Sequence, residues 1–179
     1  MKNRRKREGS GALGFSVYIL CILLAAVMLR SFVVERIVVV GESMYDTLSD
    51  GDNVLIEKIS YRLKKPGRFD VVVFPRGGAF IIKRIYGLPG ETVNIDDDGV
   101  IFINGKPLTD RYATETMADG GLASGAGITL GEDEYFVLGD NRNNSLDSRT
   151  VEIGNVRRDE IQGKLLIRLT PVKKFGKVK

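Results

Sequence analysis

The chain contains no histidine, no tryptophan and a single cysteine among its 179 residues. Without imidazole, hydrolytic chemistry has to find its general base elsewhere, which excludes a serine or cysteine nucleophile paired with histidine. The lone Cys21 can form no internal disulfide, so the folded part is held by packing alone. Acidic residues are missing after Glu160. Beyond residue 35 there is no internal repeat and no helical stripe longer than about two turns.

What is present begins with charge. Lys2, Arg4, Arg5, Lys6 and Arg7 stand against Glu8, a net of +4 that equals the whole excess of the chain and leaves 22 basic and 22 acidic residues after it. A second basic run, Lys164, Arg168, Lys173, Lys174, Lys177 and Lys179, closes the chain. Basicity confined to the ends is unlike a nucleic-acid footprint on a fold, and no nucleic-acid partner is expected. Between Gly14 and Val34 the sequence is apolar except for Ser16, Tyr18, Arg30 and Ser31. As a helix it would span roughly 30 Å, which predicts a transmembrane segment. The positive-inside rule puts residues 1–13 in the cytoplasm and 35–179 outside the plasma membrane as one domain. A cleaved signal peptide fits less well: Met28 to Val34 offers no small-x-small site, and the segment runs straight into a β-branched stretch.

From Glu35 onward short β-branched runs alternate with Gly, Pro, Asn and Asp, predicting a mainly β domain of coiled sheets or a barrel. The predicted strands are Ile37–Val40, Asn53–Glu57, Asp70–Phe74, Phe80–Ile85, Thr92–Asp96, Val100–Ile103, Glu134–Leu138 and Ile161–Leu169. Asp98-Gly99 and Asn104-Gly105 predict tight hairpin turns. The glycine-rich stretch Ala113–Gly131 predicts a mobile loop away from the chemistry.

Three blocks carry candidate chemistry. Ser43 lies in Gly-Glu-Ser-Met-Tyr-Asp-Thr-Leu (41–48), at the end of an apolar run. Lys83 interrupts the strand Phe80–Ile85, where alternation puts Ile81, Lys83 and Ile85 on one face, either solvent or enclosed. A free lysine, with a pKa of about 10.4, is neutral in about one molecule in 2,500 at pH 7, a penalty near 4.6 kcal/mol that only burial removes. Enclosed, Lys83 would take the proton of Ser43, whose Oγ would attack a carbonyl to form an acyl-enzyme, with the Ser43 N–H as oxyanion donor. The third block, Gly139–Arg149, is either a polar loop or a support for the lysine: Asp147 pairs with Arg149, Ser145 hydrogen-bonds the amine, and Asp140 and Arg84 assist. Its Asp-x-Asn-x-Asn pattern lacks the glycine and distal glutamate of a calcium loop, and no metal is expected.

Together these blocks resemble the bacterial type I signal peptidases, membrane-anchored serine/lysine enzymes, over nearly the whole chain. Ser43-Met44 with Thr47-Leu48, Gly51-Asp52 with Val54, Phe69–Phe74, Lys83-Arg84 through Gly87–Gly90, and Gly139–Arg149 match the family's boxes. The resemblance implies a β-rich catalytic domain with an apolar face toward the bilayer, no metal or cofactor, exported preproteins as substrates, and small residues at substrate positions −1 and −3. Ile82, Met44, Val39 and Leu48 are the expected pocket walls. Two departures stand out: Asp46 replaces the usual proline, and Gly41 occupies the place of a serine that helps bind the oxyanion in some members, so its N–H becomes the expected second donor. Asp46 is expected to face solvent. A peptidase specialised for one pilin or conjugation precursor and a tethered, inactive binding domain are the competing readings.

Overall fold

The predicted β-branched runs become strands in the computed structural model, which describes residues 8–32 and 34–178. A helix, α1 (Glu8–Phe32), leads into β1 (Val34–Val38), β2 (Asn53–Glu57), a single helical turn α2 (Ser60–Leu63), β3 (Val71–Arg76), β4 (Ala79–Gly87), β5 (Thr92–Ile95), β6 (Ile101–Ile103), β7 (Lys106–Pro107), β8 (Ile128–Thr129), β9 (Glu134–Leu138), β10 (Val156–Arg157), β11 (Gly163–Thr170) and β12 (Gly176–Lys177). Among the described residues no helix is both long and apolar enough to cross a membrane. The N-terminal basic run falls on residues 1–7, outside the described residues.

The strands form two antiparallel sheets. The larger has the order β1-β2-β11-β3-β4-β9-β10, with β12 added beside β11; the smaller runs β7-β6-β5-β8. In the smaller sheet the predicted turns fix the register. Asn104 and Gly105 have φ of 51° and 76°, the positive pair a tight β6–β7 hairpin requires. Val93 faces Ile103 and Ile95 faces Ile101, so one apolar face of β5 and β6 is buried. In the larger sheet β1 starts three residues before the predicted Ile37 and ends two before the predicted Val40, because Val34–Val38 have β2 partners while the Val39 N–H donates to the Asp52 carbonyl, at 2.8 Å.

Three apolar clusters fill the domain, and one of them positions the site: Val39, Met44, Leu48, Val54, Ile56, Val71, Val73, Ile82, Leu165 and Val178. Strand β4 explains the ambiguity of Lys83. From Ile82 to Gly87 both of its faces are buried. Ile82 joins the cluster just named, while Ile85 joins the one holding Val72 and Phe74. A lysine in the middle of such a strand is desolvated whichever way it points.

The stretch 113–131 departs from its expectation. Met117, Ala123 and Leu130 pack into the cluster beneath the smaller sheet, with a short 3-10 turn at Gly121–Ala123. The Leu122 N–H donates to the Arg149 carbonyl, and Arg149 Nη1 donates to the Asp119 carbonyl. Its glycines serve close approach: a side chain at Gly121, where φ is +54°, would collide with the Arg149 carbonyl. The loop is therefore packed directly on the 139–149 block.

Candidate active site

Ser43 sits on a loop closed at its base by Val39 and Gly51, the Gly51 N–H donating to the Val39 carbonyl at 3.0 Å. One helical turn follows, in which the Leu48 N–H donates to the Met44 carbonyl at 2.7 Å. Met44 and Leu48, four residues apart, share the inner side of this turn and are buried in the core. That anchoring leaves Ser43 half-buried at the rim and Asp46 exposed.

Lys83 is 3% exposed, and its Nζ lies 2.5 Å from Ser43 Oγ. Burial pulls its pKa down from 10.5 to about 8; the charges of Asp147 and Asp140 oppose that shift and the charge of Arg149 reinforces it. The neutral fraction at pH 7 thereby rises to roughly one in ten. A neutral amine at this distance can accept the serine proton.

The surrounding charges are paired. Arg84 and Asp140, both fully buried, form a bidentate pair, Nε to Oδ1 at 2.9 Å and Nη2 to Oδ2 at 2.7 Å. Arg84 also donates to the Phe69 carbonyl at 3.0 Å and to Thr47 Oγ1 at 3.1 Å, and lies 3.7 Å over the Tyr112 ring. Thr47 Oγ1 donates to Asp140 Oδ2 at 2.5 Å, which ties the nucleophile turn to this pair. Arg149 grips Asp147 through Nε and Nη2 at 2.8 and 2.9 Å. Asp147 in turn accepts the Gly139 N–H at 3.1 Å. A side chain at Gly139 would meet the Ser43 carbonyl at 2.5 Å, so a glycine is needed where the third block passes behind the nucleophile.

Three expectations fail in detail. Ser145 Oγ is buried without any hydrogen-bond partner and forms no bond to Lys83; it is packed against Gly139, one layer back. Gly41 does not offer a free oxyanion donor, because its N–H donates to Asp50 Oδ1 at 2.7 Å, and one N–H cannot point in two directions. Leu48 is fully buried in the core and is not among the residues that line the groove beside Ser43. Val39, Met44 and Ile82 do line a groove of about 320 Å³, walled by Val38–Gly41 on one side and Ala79–Lys83 on the other. Sequence reasoning missed Asp50, which no local signal tied to Gly41, and Asn141, which nothing separated from its asparagine neighbours. It also missed Arg142, buried between the Tyr86 hydroxyl at 2.7 Å and Asp110 at 2.5 Å.

A half-buried serine 2.5 Å from a desolvated lysine, beside an apolar groove in a chain without histidine, is an arrangement suited to a serine peptidase. The chain belongs to the signal peptidase family, peptidase S26, whose family model matches residues 13–170, and is a serine endopeptidase. It is 38% identical over 162 residues to the probable signal peptidase I-2 of Synechocystis, covering 86% of this chain and 71% of the relative. It is 36% identical over 181 residues to a signal peptidase I of Leptolyngbya laminosa, covering 96% and 83%. A crystal structure of a signal peptidase I from Enterococcus faecalis is 36% identical, covers 56% of this chain and 97% of that one, and superposes with a TM-score of 0.44.

Proposed function

We propose that the chain removes N-terminal signal peptides from exported preproteins, with Ser43 as nucleophile and neutral Lys83 as general base. One observation carries this reading: the sole buried amine of the groove lies 2.5 Å from the serine hydroxyl in a protein that lacks histidine. Lys83 takes the Oγ proton as Ser43 adds to the scissile carbonyl, and the oxyanion faces the Ser43 N–H, which has no acceptor among the described residues. The lysine then passes its proton to the departing amine. The acyl-enzyme is hydrolysed by a water that Lys83 deprotonates, and the proton returns to Ser43.

The groove supports this substrate class. Residues Ala79–Lys83 pair with β3 on one side only, since β9 begins its pairing at Arg84. An extended peptide can add to that open edge through main-chain hydrogen bonds. Val39, Met44 and Ile82 give the groove beside Ser43 apolar walls, which suit small apolar residues at −1 and −3.

Anchoring in the plasma membrane belongs to the same proposal. The apolar run from Gly14 to Phe32 lies within α1 and extends about 28 Å at 1.5 Å per residue, close to the roughly 30 Å of the hydrocarbon core. Residues from Leu13 to Met28 present large apolar side chains to the outside all around α1. Val40, Phe80, Val172 and Phe175 are exposed on the domain, and Lys173 and Lys174 beside the last two suit a bilayer surface. The N-terminus lies in the cytoplasm and residues 35–179 outside it.

Cleavage of a peptide carrying an Ala-x-Ala site by the detergent-solubilised chain tests the reading. The wild type is expected to cut after the second alanine and folded Ser43→Ala to be inert; equal cleavage by both, or none by the wild type, overturns it.

A further inference from the structure

We propose that Asn141 is a positioning residue that aims the oxyanion donor of Ser43. The inference rests on the reading of Ser43 as the nucleophile and deepens it. The Gly41 N–H is held by Asp50, and the nucleophile's own N–H, that of Ser43, has no acceptor among the described residues. An oxyanion donor works only when preorganised, at 2.7–3.1 Å from where the charge develops, so what orients this N–H matters.

That N–H belongs to the planar trans peptide joining Glu42 and Ser43, in which the carbonyl and the N–H point in opposite directions. Fixing the Glu42 carbonyl therefore fixes the Ser43 N–H. The Glu42 carbonyl accepts two hydrogen bonds, from the Tyr45 N–H at 3.0 Å within the turn and from Asn141 Nδ2 at 3.2 Å across it. The next peptide is held by the same residue, since the Asn141 N–H donates to the Ser43 carbonyl at 3.1 Å. Asn141 thus grips the carbonyls on both sides of the nucleophile from one direction and leaves the intervening N–H facing the other way. Its own carbonyl accepts the Asn144 N–H at 3.2 Å, which secures the clamp to the 3-10 turn Arg142–Asn144. Gly139 keeps the approach open beside it.

Only the side-chain half of this grip can be removed by substitution. Asn141→Ala deletes it, and Asn141→Asp replaces a donor with an acceptor that repels the Glu42 carbonyl. Because the Tyr45 bond remains, the expected loss is about tenfold in kcat, less than the 10²–10³-fold typical of deleting an oxyanion donor. It should be read at the alkaline plateau of the pH profile, where any added charge beside Lys83 no longer matters. KM is expected within twofold of wild type, and the Asn141→Ala midpoint unchanged. Affinity for a substrate-like peptide aldehyde, which forms a tetrahedral adduct with the serine, is expected to fall in step with kcat/KM. Melting temperatures of both variants establish that they are folded.

Plateau kcat within twofold of wild type in both variants overturns the inference, as does a loss confined to KM or to the midpoint, which marks Asn141 as structural glue. If wild type itself neither cleaves nor binds the aldehyde through Ser43, the nucleophile reading falls and takes this one with it. If wild type cleaves through Ser43 while the variants match it, only the Asn141 inference falls.

Discussion

Lys83→Met is expected to lower cleavage by about 10⁴-fold or more while making the folded chain more stable at neutral pH. The loss follows because no other residue in the groove can take the Ser43 proton. The gain follows from linkage. Below pH 8 the lysine is protonated in both folded and unfolded chains, and holding that charge in a buried site costs about 3 kcal/mol, the equivalent of moving its pKa from 10.5 to about 8. Between pH 8 and 10.5 the unfolded chain binds the proton and the folded chain does not, so wild-type stability rises with pH across that window. Above it the penalty is gone. Denaturant unfolding of wild type and variant in detergent should therefore differ by about 3 kcal/mol at pH 7 and converge near pH 10.5. Equal stability at pH 7 would contradict a desolvated base.

The second large effect is expected at Asp140. Asp140→Ala leaves the Arg84 guanidinium fully buried with its bidentate partner gone, which destabilises a protein by about 3–5 kcal/mol. For a chain of this size the melting temperature should fall by roughly 10 °C. The loss belongs to the uncompensated charge rather than to the net value of the pair. Arg84→Met combined with Asp140→Leu is accordingly expected to recover most of the stability, while still lacking the hydrogen bonds that tie Thr47 to the core. Removing the Asp140 charge also removes one of the two carboxylates that hold the Lys83 pKa up, so any residual activity should have its midpoint below 8. Thermal melts and a pH series on the single variant check both.

Much of this fold was legible because its signals are local. Asn104-Gly105 dictates a positive-φ turn whatever surrounds it, and β2 and β9 keep their predicted bounds, β2 starting after the turn formers Gly51-Asp52 and β9 ending before Gly139. The two-residue strands β8, β10 and β12 were not legible, because each exists only through a partner that no local turn signal brings to it, whereas β7 follows directly from the Asn104-Gly105 hairpin. The same division runs through the site. Alternation placed Lys83 on a face without saying what covers it; the answer lies in β3, β9 and the nucleophile turn, all remote along the chain. Ser145 and Gly41 were assigned by box position, but Gly139 packing turns one hydroxyl aside and the Asp50 carboxylate occupies the other donor. Glycines at 120, 121 and 127 read as flexibility when they mark close packing against Ile95, Arg149 and Val93. Asp46 departs from the family pattern in sequence yet lies exposed, outside the Lys83 environment.

The pH dependence of kcat/KM for an Ala-x-Ala peptide, measured on the full chain in detergent from pH 6 to 11, tests the central claim most directly, because it titrates the base in the free enzyme. A single rise with its midpoint near 8, absent from Lys83→Met, is the expected result. A midpoint near the roughly 10.4 of free lysine, or a profile that Lys83→Met leaves unchanged, would contradict a buried neutral lysine as the base.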